Sequence, residues 1–419
     1  MVENAGNSVH ARLTIPSPTE QNHYRPIALT SLVMKCLEQI VKKHVFIHTH
    51  QLLDPLQFAY RPSRGVDDAI VTLLHLVYTH LEAPKTHVKI IFFDFSSAFN
   101  TINPNILAQR LVNFGLDGGL ILWLLDFLSQ RVQQVKVGSS LSDKIITNTG
   151  SPQGCVLSPL LFILYTNNCS SPYPGRYLIK FADDTALVSL LKESEQDHGP
   201  VLPEFLGWCE QSNLLLNTLK TKEMSIDFRK DKSITCSPTT ISGQPIQSVT
   251  EYKYLGVVLD NKLKWEQHTE VIQKKGQQRL YFLKKLVSFD VDQRITKMFY
   301  SAFVESVLTF GILCWFGNAT EAQKGRLRRI VTTASKLMGT NINIKSLEQI
   351  HRERSLGKID TILADVKHPL FNIFELLPSG SRFRYPALSK NRTKKSFIPQ
   401  AISLFNKHTG RPTKENTRF

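Results

Sequence analysis

Tyr177-Leu-Ile-Lys-Phe-Ala-Asp-Asp-Thr-Ala-Leu-Val-Ser-Leu190 decides how the rest of the chain is read. Two apolar, β-branched runs flank a short polar tip, the pattern of a β-hairpin, and the tip carries adjacent carboxylates, Asp183 and Asp184. Upstream, Val88-Lys-Ile-Ile-Phe-Phe-Asp-Phe95 is a short apolar run of buried-strand type in which Asp94 stands near the end. A carboxylate at the end of a buried strand is costly without compensation. Three brought together would raise one another's pKa unless a divalent cation neutralised them. Oxygen donors favour Mg²⁺ over zinc, and two such ions about 3.5–4 Å apart serve an in-line phosphoryl displacement. Read singly, Ala-Asp-Asp-Thr is equally a polar turn and Asp94 a helix cap.

Order and context extend the pattern. Phe92-Phe-Asp-Phe-Ser-Ser-Ala-Phe-Asn-Thr101, Gly150-Ser-Pro-Gln-Gly-Cys-Val-Leu-Ser-Pro-Leu-Leu-Phe162 and Phe181-Ala-Asp-Asp184 resemble, in sequence order, the first three palm motifs of reverse transcriptases. Within these, the non-LTR (LINE-type) retrotransposon enzymes are the nearest pattern, because Tyr252-Lys-Tyr-Leu-Gly-Val-Val-Leu-Asp-Asn-Lys-Leu-Lys-Trp265 resembles their palm-to-thumb segment. Tyr24-Arg-Pro-Ile-Ala-Leu-Thr-Ser31 and Gln57-Phe-Ala-Tyr-Arg-Pro-Ser-Arg64 resemble finger motifs, and Trp208 through Thr221 the fourth palm motif.

The resemblance implies an α+β right-hand polymerase: fingers over 1–87, palm with remaining finger elements over 88–260, a helical thumb over 261–345 and a basic C-terminal region over 346–419. It implies RNA-directed DNA polymerisation from dNTPs, an RNA template and a DNA primer, with Mg²⁺ (or Mn²⁺ as a substitute) held by Asp94, Asp183 and Asp184. By the same resemblance Phe99 selects dNTP over NTP, and Phe95, Gln153 and Gly154 lie at the incoming nucleotide. Arg61 and Arg64 bind triphosphate, and Lys220 protonates the departing pyrophosphate. Asn100 departs from the Asp more usual at its place. No endonuclease domain or zinc knuckle is read in these residues, so the chain is expected to be the polymerase portion of a longer element. The alternatives are a catalytically impaired nucleic-acid-binding remnant and an intron maturase.

Charge and composition agree with a polyanionic partner. The 419 residues carry a formal charge of +16. Residues 1–260 hold 22 Lys/Arg and 23 Asp/Glu, whereas 261–419 hold 29 and 12, so the excess lies wholly in the second part. There it suits a thumb on a template–primer backbone, and aromatics among the basic residues of the last forty positions are candidates for stacking on single-stranded bases. Six cysteines show no C-x-x-C pair, which fits reduced thiols in an intracellular protein acting in nucleus and cytoplasm. Apolar runs such as Leu120–Leu125 and Val156–Tyr165 fall short of the roughly 18–20 residues that span a bilayer, so no membrane partner is expected.

Helical spacing is read over 27–45, 66–81, 204–216, 271–286, 292–303 and 322–337, and strand patterns over 132–137, 225–228 and 252–259.

Overall fold

A computed structural model describes residues 7–13, 24–137, 139–229, 238–339 and 343–409. It is a mixed α+β structure. By residue it divides into two compact units, one of 1–62, 92–187 and 198–221, the other of 63–91, 188–197 and 222–419. A five-stranded sheet runs in the order Gln247–Ser248, Lys222–Asp227, Thr86–Phe93, Asp184–Lys192, Arg176–Phe181. Its strands Thr86–Phe93 and Asp184–Lys192 each have residues in both units.

In the first unit the hairpin expected around Asp183 is present, as strands Arg176–Phe181 and Asp184–Lys192. Asn103 caps the helix Pro104–Asn113 by accepting from the Asn105 and Ile106 amides, with Pro104 in the first turn where no donor is needed. That helix, Gly118–Leu128 and Ser158–Tyr165 contribute Leu107, Leu111, Leu124, Leu128, Leu161 and Phe162 to one apolar core. A second sheet pairs Asn7–Leu13 antiparallel with Tyr24–Ala28 and parallel with Arg131–Val137.

The helix read over 27–45 forms over Leu32–Thr49, and its burial is inverted. Ile40, Val33 and Leu32 are 68–81% exposed, while Glu38 is fully buried. The cause is a long-range partner: the Glu38 carboxylate accepts from the Val156 and Leu157 amides at 2.6 and 2.9 Å. These precede the helix Ser158–Tyr165, where negative charge is favoured. Seven residues apart, Glu38 and Val45 then define the buried side.

In the second unit, residues 252–259 make not one strand but a hairpin, Glu251–Tyr254 against Val257–Asp260. Leu255 and Gly256 both have positive φ (47° and 89°), the geometry of a tight two-residue hairpin turn. The carboxylate of Asp260 then accepts from the Lys262, Lys264 and Trp265 amides, setting the start of the 23-residue helix Glu266–Ser288. Residues 346–409 are a folded part of this unit, containing the helices Leu347–Leu363 and Phe397–Thr409. Phe383 and Phe397, expected as stacking rings, are buried, Phe383 between Phe374 and Phe405. Apolar packing of the second unit's core has claimed them.

Gln293–Trp315 is, by length and composition, apolar enough to cross a membrane, a stretch the sequence reading passed over. Half of its most apolar window is buried, and it contains a π-helical segment at Tyr300–Glu305.

Candidate polymerase site

The strand order puts the sequence motifs side by side. Asp94 directly follows the strand Thr86–Phe93, and Asp183 and Asp184 begin its neighbour Asp184–Lys192. Asp94 is half-buried, and the other two are exposed. The backbone of Asp94 is clamped from both sides: its N–H donates to Thr221 Oγ1 (3.4 Å) and its carbonyl accepts from the Asn217 amide (2.8 Å). Thr221 Oγ1 in turn donates to the Asn217 carbonyl (2.9 Å), and Ser96 N–H donates to Leu215 O. The fourth motif therefore holds the first in place. Lys220 is exposed on this same turn, its amide donating to the Asn217 carbonyl.

The Asp-Asp turn has its own brace, which the sequence reading did not single out. Ala182 adopts a left-handed φ of 57° and is nearly buried, a conformation that costs a non-glycine residue on the order of 1 kcal/mol. The side chain of Gln57, 1% exposed, accepts through Oε1 from the Ala182 amide (3.1 Å) and from the Ala59 amide (3.0 Å). The segment around it pairs with the hairpin: Phe58 N–H donates to Lys180 O and Lys180 N–H to Leu56 O, both at 2.9 Å. Below the turn, Lys180 Nζ is buried, 2.7 Å from the Asp54 carboxylate and bonded to the Thr166 and Cys169 carbonyls. Burial raises the Cys169 thiol to about 11, so it stays neutral beside this pair. Tyr60 lies close enough to Asp183 that, after burial, that negative charge holds its phenol above the ordinary value. Gln57→Met, which keeps volume but removes the acceptor, is expected to lower stability by about 1–3 kcal/mol in urea unfolding.

Motifs one and two meet at a cavity of about 230 Å³ lined by Ala28, Asn100, Arg131, Thr147, Gly150 and Gln153, among others. Ser151 N–H donates to Phe99 O and Gly150 N–H to Ile102 O, both at 2.7 Å. Gly150 has φ +78°, and a Cβ there would lie 2.7 Å from Asn100 O, so only glycine permits this approach. Gly154 (φ +102°) lies against Ala28, whose amide donates to Gln153 O at 2.7 Å. Gln153 Nε2 donates to Asn100 Oδ1 at 3.4 Å. Asn100, read as a departure from the family pattern, is thus part of the cavity wall. The Phe99 ring is half-buried and stacked on Phe162 at 4.6 Å, while the Phe95 ring lies 6.5 Å from Phe205.

The two finger arginines separate. Arg61 Nη1 donates to the Asp54 carbonyl (2.8 Å) and more weakly to the Gln57 carbonyl, in the first unit. Arg64 belongs to the second unit, where its buried guanidinium donates through Nε and Nη2 to Asp365 Oδ2 (2.9 and 2.7 Å) and to Lys367 O. Expected at a triphosphate, it is instead bound to a carboxylate 301 residues away, a partner that no local pattern announces.

As to metals, the site offers only hard oxygen donors from three carboxylates at the ends of neighbouring strands, which fits a divalent cation such as Mg²⁺. Among the described residues no three His, Cys, Asp or Glu side chains are already gathered into a ligand set.

Comparison with known proteins agrees with this geometry. The reverse transcriptase (RNA-dependent DNA polymerase) family matches residues 15–259, more than half of the chain. The chain belongs to the reverse transcriptase family. Its fold is accordingly of the α+β right-hand polymerase class, and its relatives are non-LTR retrotransposon enzymes. One, a probable RNA-directed DNA polymerase from transposon BS of Drosophila melanogaster, is 23% identical over 80% of this chain and 38% of its own length. Another, the RNA-directed DNA polymerase from mobile element jockey of the same species, is 25% identical over 61% of this chain and 29% of its own. The chain thus spans well under half the length of these curated relatives. A short match at residues 265–306 is to the N-terminal part of alkylated DNA repair protein alkB homolog 8. Among solved structures, apo telomerase from Candida tropicalis (13% identity, TM-score 0.44, 89% of this chain and 69% of that one) is a loose likeness. So is the RNA-dependent RNA polymerase of a human picobirnavirus (12%, 0.41, 97% and 66%).

Proposed function

We propose that the chain is an RNA-directed DNA polymerase of retrotransposon origin, adding dNTPs to a primer 3′-hydroxyl on an RNA template. The reading is carried by the clamped Asp94 on the strand next to the braced Asp183-Asp184 turn. Asp94, Asp183 and Asp184 would hold Mg²⁺, or Mn²⁺ in its place. Two such ions, when bound, activate an attacking hydroxyl and stabilise a leaving oxygen.

The chain's own residues do the positioning. Thr221 and Asn217 fix the backbone of Asp94, and Gln57 fixes the turn that presents Asp183. Gln153 and Gly154 face the incoming nucleotide, with Asn100 orienting the Gln153 amide. Phe95 forms part of the adjoining floor. Arg61, in the finger motif, is assigned to the triphosphate, and Lys220, on the turn that anchors Asp94, delivers a proton to pyrophosphate. Arg64 has no part in this assignment. Phe99, held flat by Phe162, excludes a 2′-hydroxyl. Phe99→Val is expected to reduce discrimination against NTPs by about tenfold to a hundredfold, the range of one pocket contact, read as the ratio of kcat/KM values for dTTP and UTP.

In this assignment fingers lie in 1–87, palm with further finger elements in 88–260 and thumb in 261–345. Residues 346–419 are the basic C-terminal region. An RNA template and a DNA primer place the work inside the cell, in cytoplasm and nucleus. Primer extension on poly(rA)/oligo(dT) with Mg²⁺ tests the reading. Template–primer binding with no incorporation above an Asp183→Asn control would mean a nucleic-acid-binding remnant.

A further inference from the structure

We propose that the helical hairpin of the second unit carries a binding platform for single-stranded nucleic acid, formed by Tyr281, Phe282, Phe289 and Phe303 with the lysines and arginines between them. These rings are 57%, 57%, 74% and 50% exposed. Aromatic side chains are ordinarily among the first to be covered, and a cluster left in water marks a contact surface. The sequence pointed to the C-terminal rings for this task, but of Phe383, Tyr385 and Phe397 only Tyr385 is exposed. The exposed rings lie instead on the helix Glu266–Ser288, the turn after it and the π-helical segment Tyr300–Glu305.

The rings and cations are arranged together. Tyr281 and Phe282 meet edge to face with centroids 5.7 Å apart, and Lys285 Nζ lies 5.8 Å from the Tyr281 ring centre. On the neighbouring element Phe299 and Phe303 stack at 4.7 Å. Arg279 Nη1 donates to the Phe303 carbonyl at 2.5 Å and so joins the helix Glu266–Ser288 to the π-helical segment that carries Phe303. Residues 271–304 contain seven Lys/Arg and two Asp. One of those two, Asp292, caps the helix Gln293–Phe299 by accepting from the Arg294 amide.

Charge complementarity selects the occupant. An apolar protein groove would meet five cations on the long helix: Lys274, Lys275, Arg279, Lys284 and Lys285. A polyanion whose unpaired bases present flat faces matches both groups at once, its phosphates on the cations and its bases on the rings. In a duplex the bases already stack on one another, so the rings add nothing to a duplex contact. The inference does not depend on catalysis; its rings lie in the segment assigned to the thumb, whose reading on a template–primer backbone rests on the cations and not on the rings.

Fluorescence anisotropy of the full chain with labelled twelve-nucleotide single strands, one RNA arm and one DNA arm, and with an RNA–DNA duplex, tests it. Phe289→Leu and the double variant Tyr281→Ala/Phe282→Ala are expected to weaken single-strand binding by about tenfold each. Duplex affinity and melting temperature should stay unchanged. Ring-dependent binding in either arm supports the platform, and the arm identifies the strand. Three results would overturn it: unchanged single-strand affinity, equal losses for single strand and duplex, or ring-dependent self-association or vesicle binding with no effect on oligonucleotide. Because Asp183→Asn leaves these residues untouched, an inactive polymerase with ring-dependent binding would sink the functional reading and spare this one.

Discussion

Asp183→Asn is expected to reduce dTTP incorporation on poly(rA)/oligo(dT) by about a thousandfold or more, while template–primer affinity and melting temperature stay near those of the unmodified chain. The substitution keeps size and shape and removes one negative charge from the turn between Arg176–Phe181 and Asp184–Lys192. A bound divalent cation is worth several kcal/mol to a phosphoryl transfer, and each 1.36 kcal/mol is tenfold in rate. Loss of one of three carboxylates therefore acts on kcat. Stability should not follow, because Asp183 is exposed and the turn is set by Ala182 and Gln57. Activity retained within tenfold would remove Asp183 from the catalytic assignment.

Lys180→Met is expected to be the most destabilising single change near the site, by about 3–5 kcal/mol in urea unfolding. Lys180 and Asp54 side chains are 2% and 9% exposed, and their charges meet at 2.7 Å. Removing the ammonium leaves Asp54 buried without its counter-charge and takes a donor from the Thr166 and Cys169 carbonyls. Adding Asp54→Leu should recover part of the loss, since an apolar pair of similar volume avoids the uncompensated charge. Strictly additive losses in the double variant would mean that the two side chains do not act as a pair. Lys180 lies two residues before Ala182, so the same change should loosen the Asp-Asp turn and lower incorporation in step with stability.

Much of the site was legible because its chemistry is local. The Asp183-Asp184 hairpin, the strand ending at Asp94 and the glycine turn at 150–154 each announce themselves within about ten residues, through alternation, β-branching and turn-forming residues. A helix with a capping residue and a regular apolar period, Glu321–Met338, lies where the pattern put it. Residues whose role depends on a distant partner were not legible. Gln57 was one letter in a finger motif until its Oε1 met the Ala182 amide 125 residues on, and Asn100 was a departure until it met Gln153.

The sequence by itself determined the order of the motifs, the family and which carboxylates stand at strand ends, since those are properties of short segments. Only the tertiary structure decided which surfaces are covered. A helix with an apolar stripe turned it outward because Glu38 had two amides to cap. An arginine of the finger motif turned to Asp365, and Phe383 and Phe397 went into a core while Tyr385 and the rings of Tyr281, Phe282, Phe289 and Phe303 stayed in water. Burial and pairing are set by residues that folding brings together across 100–300 positions, and no window of sequence contains both partners.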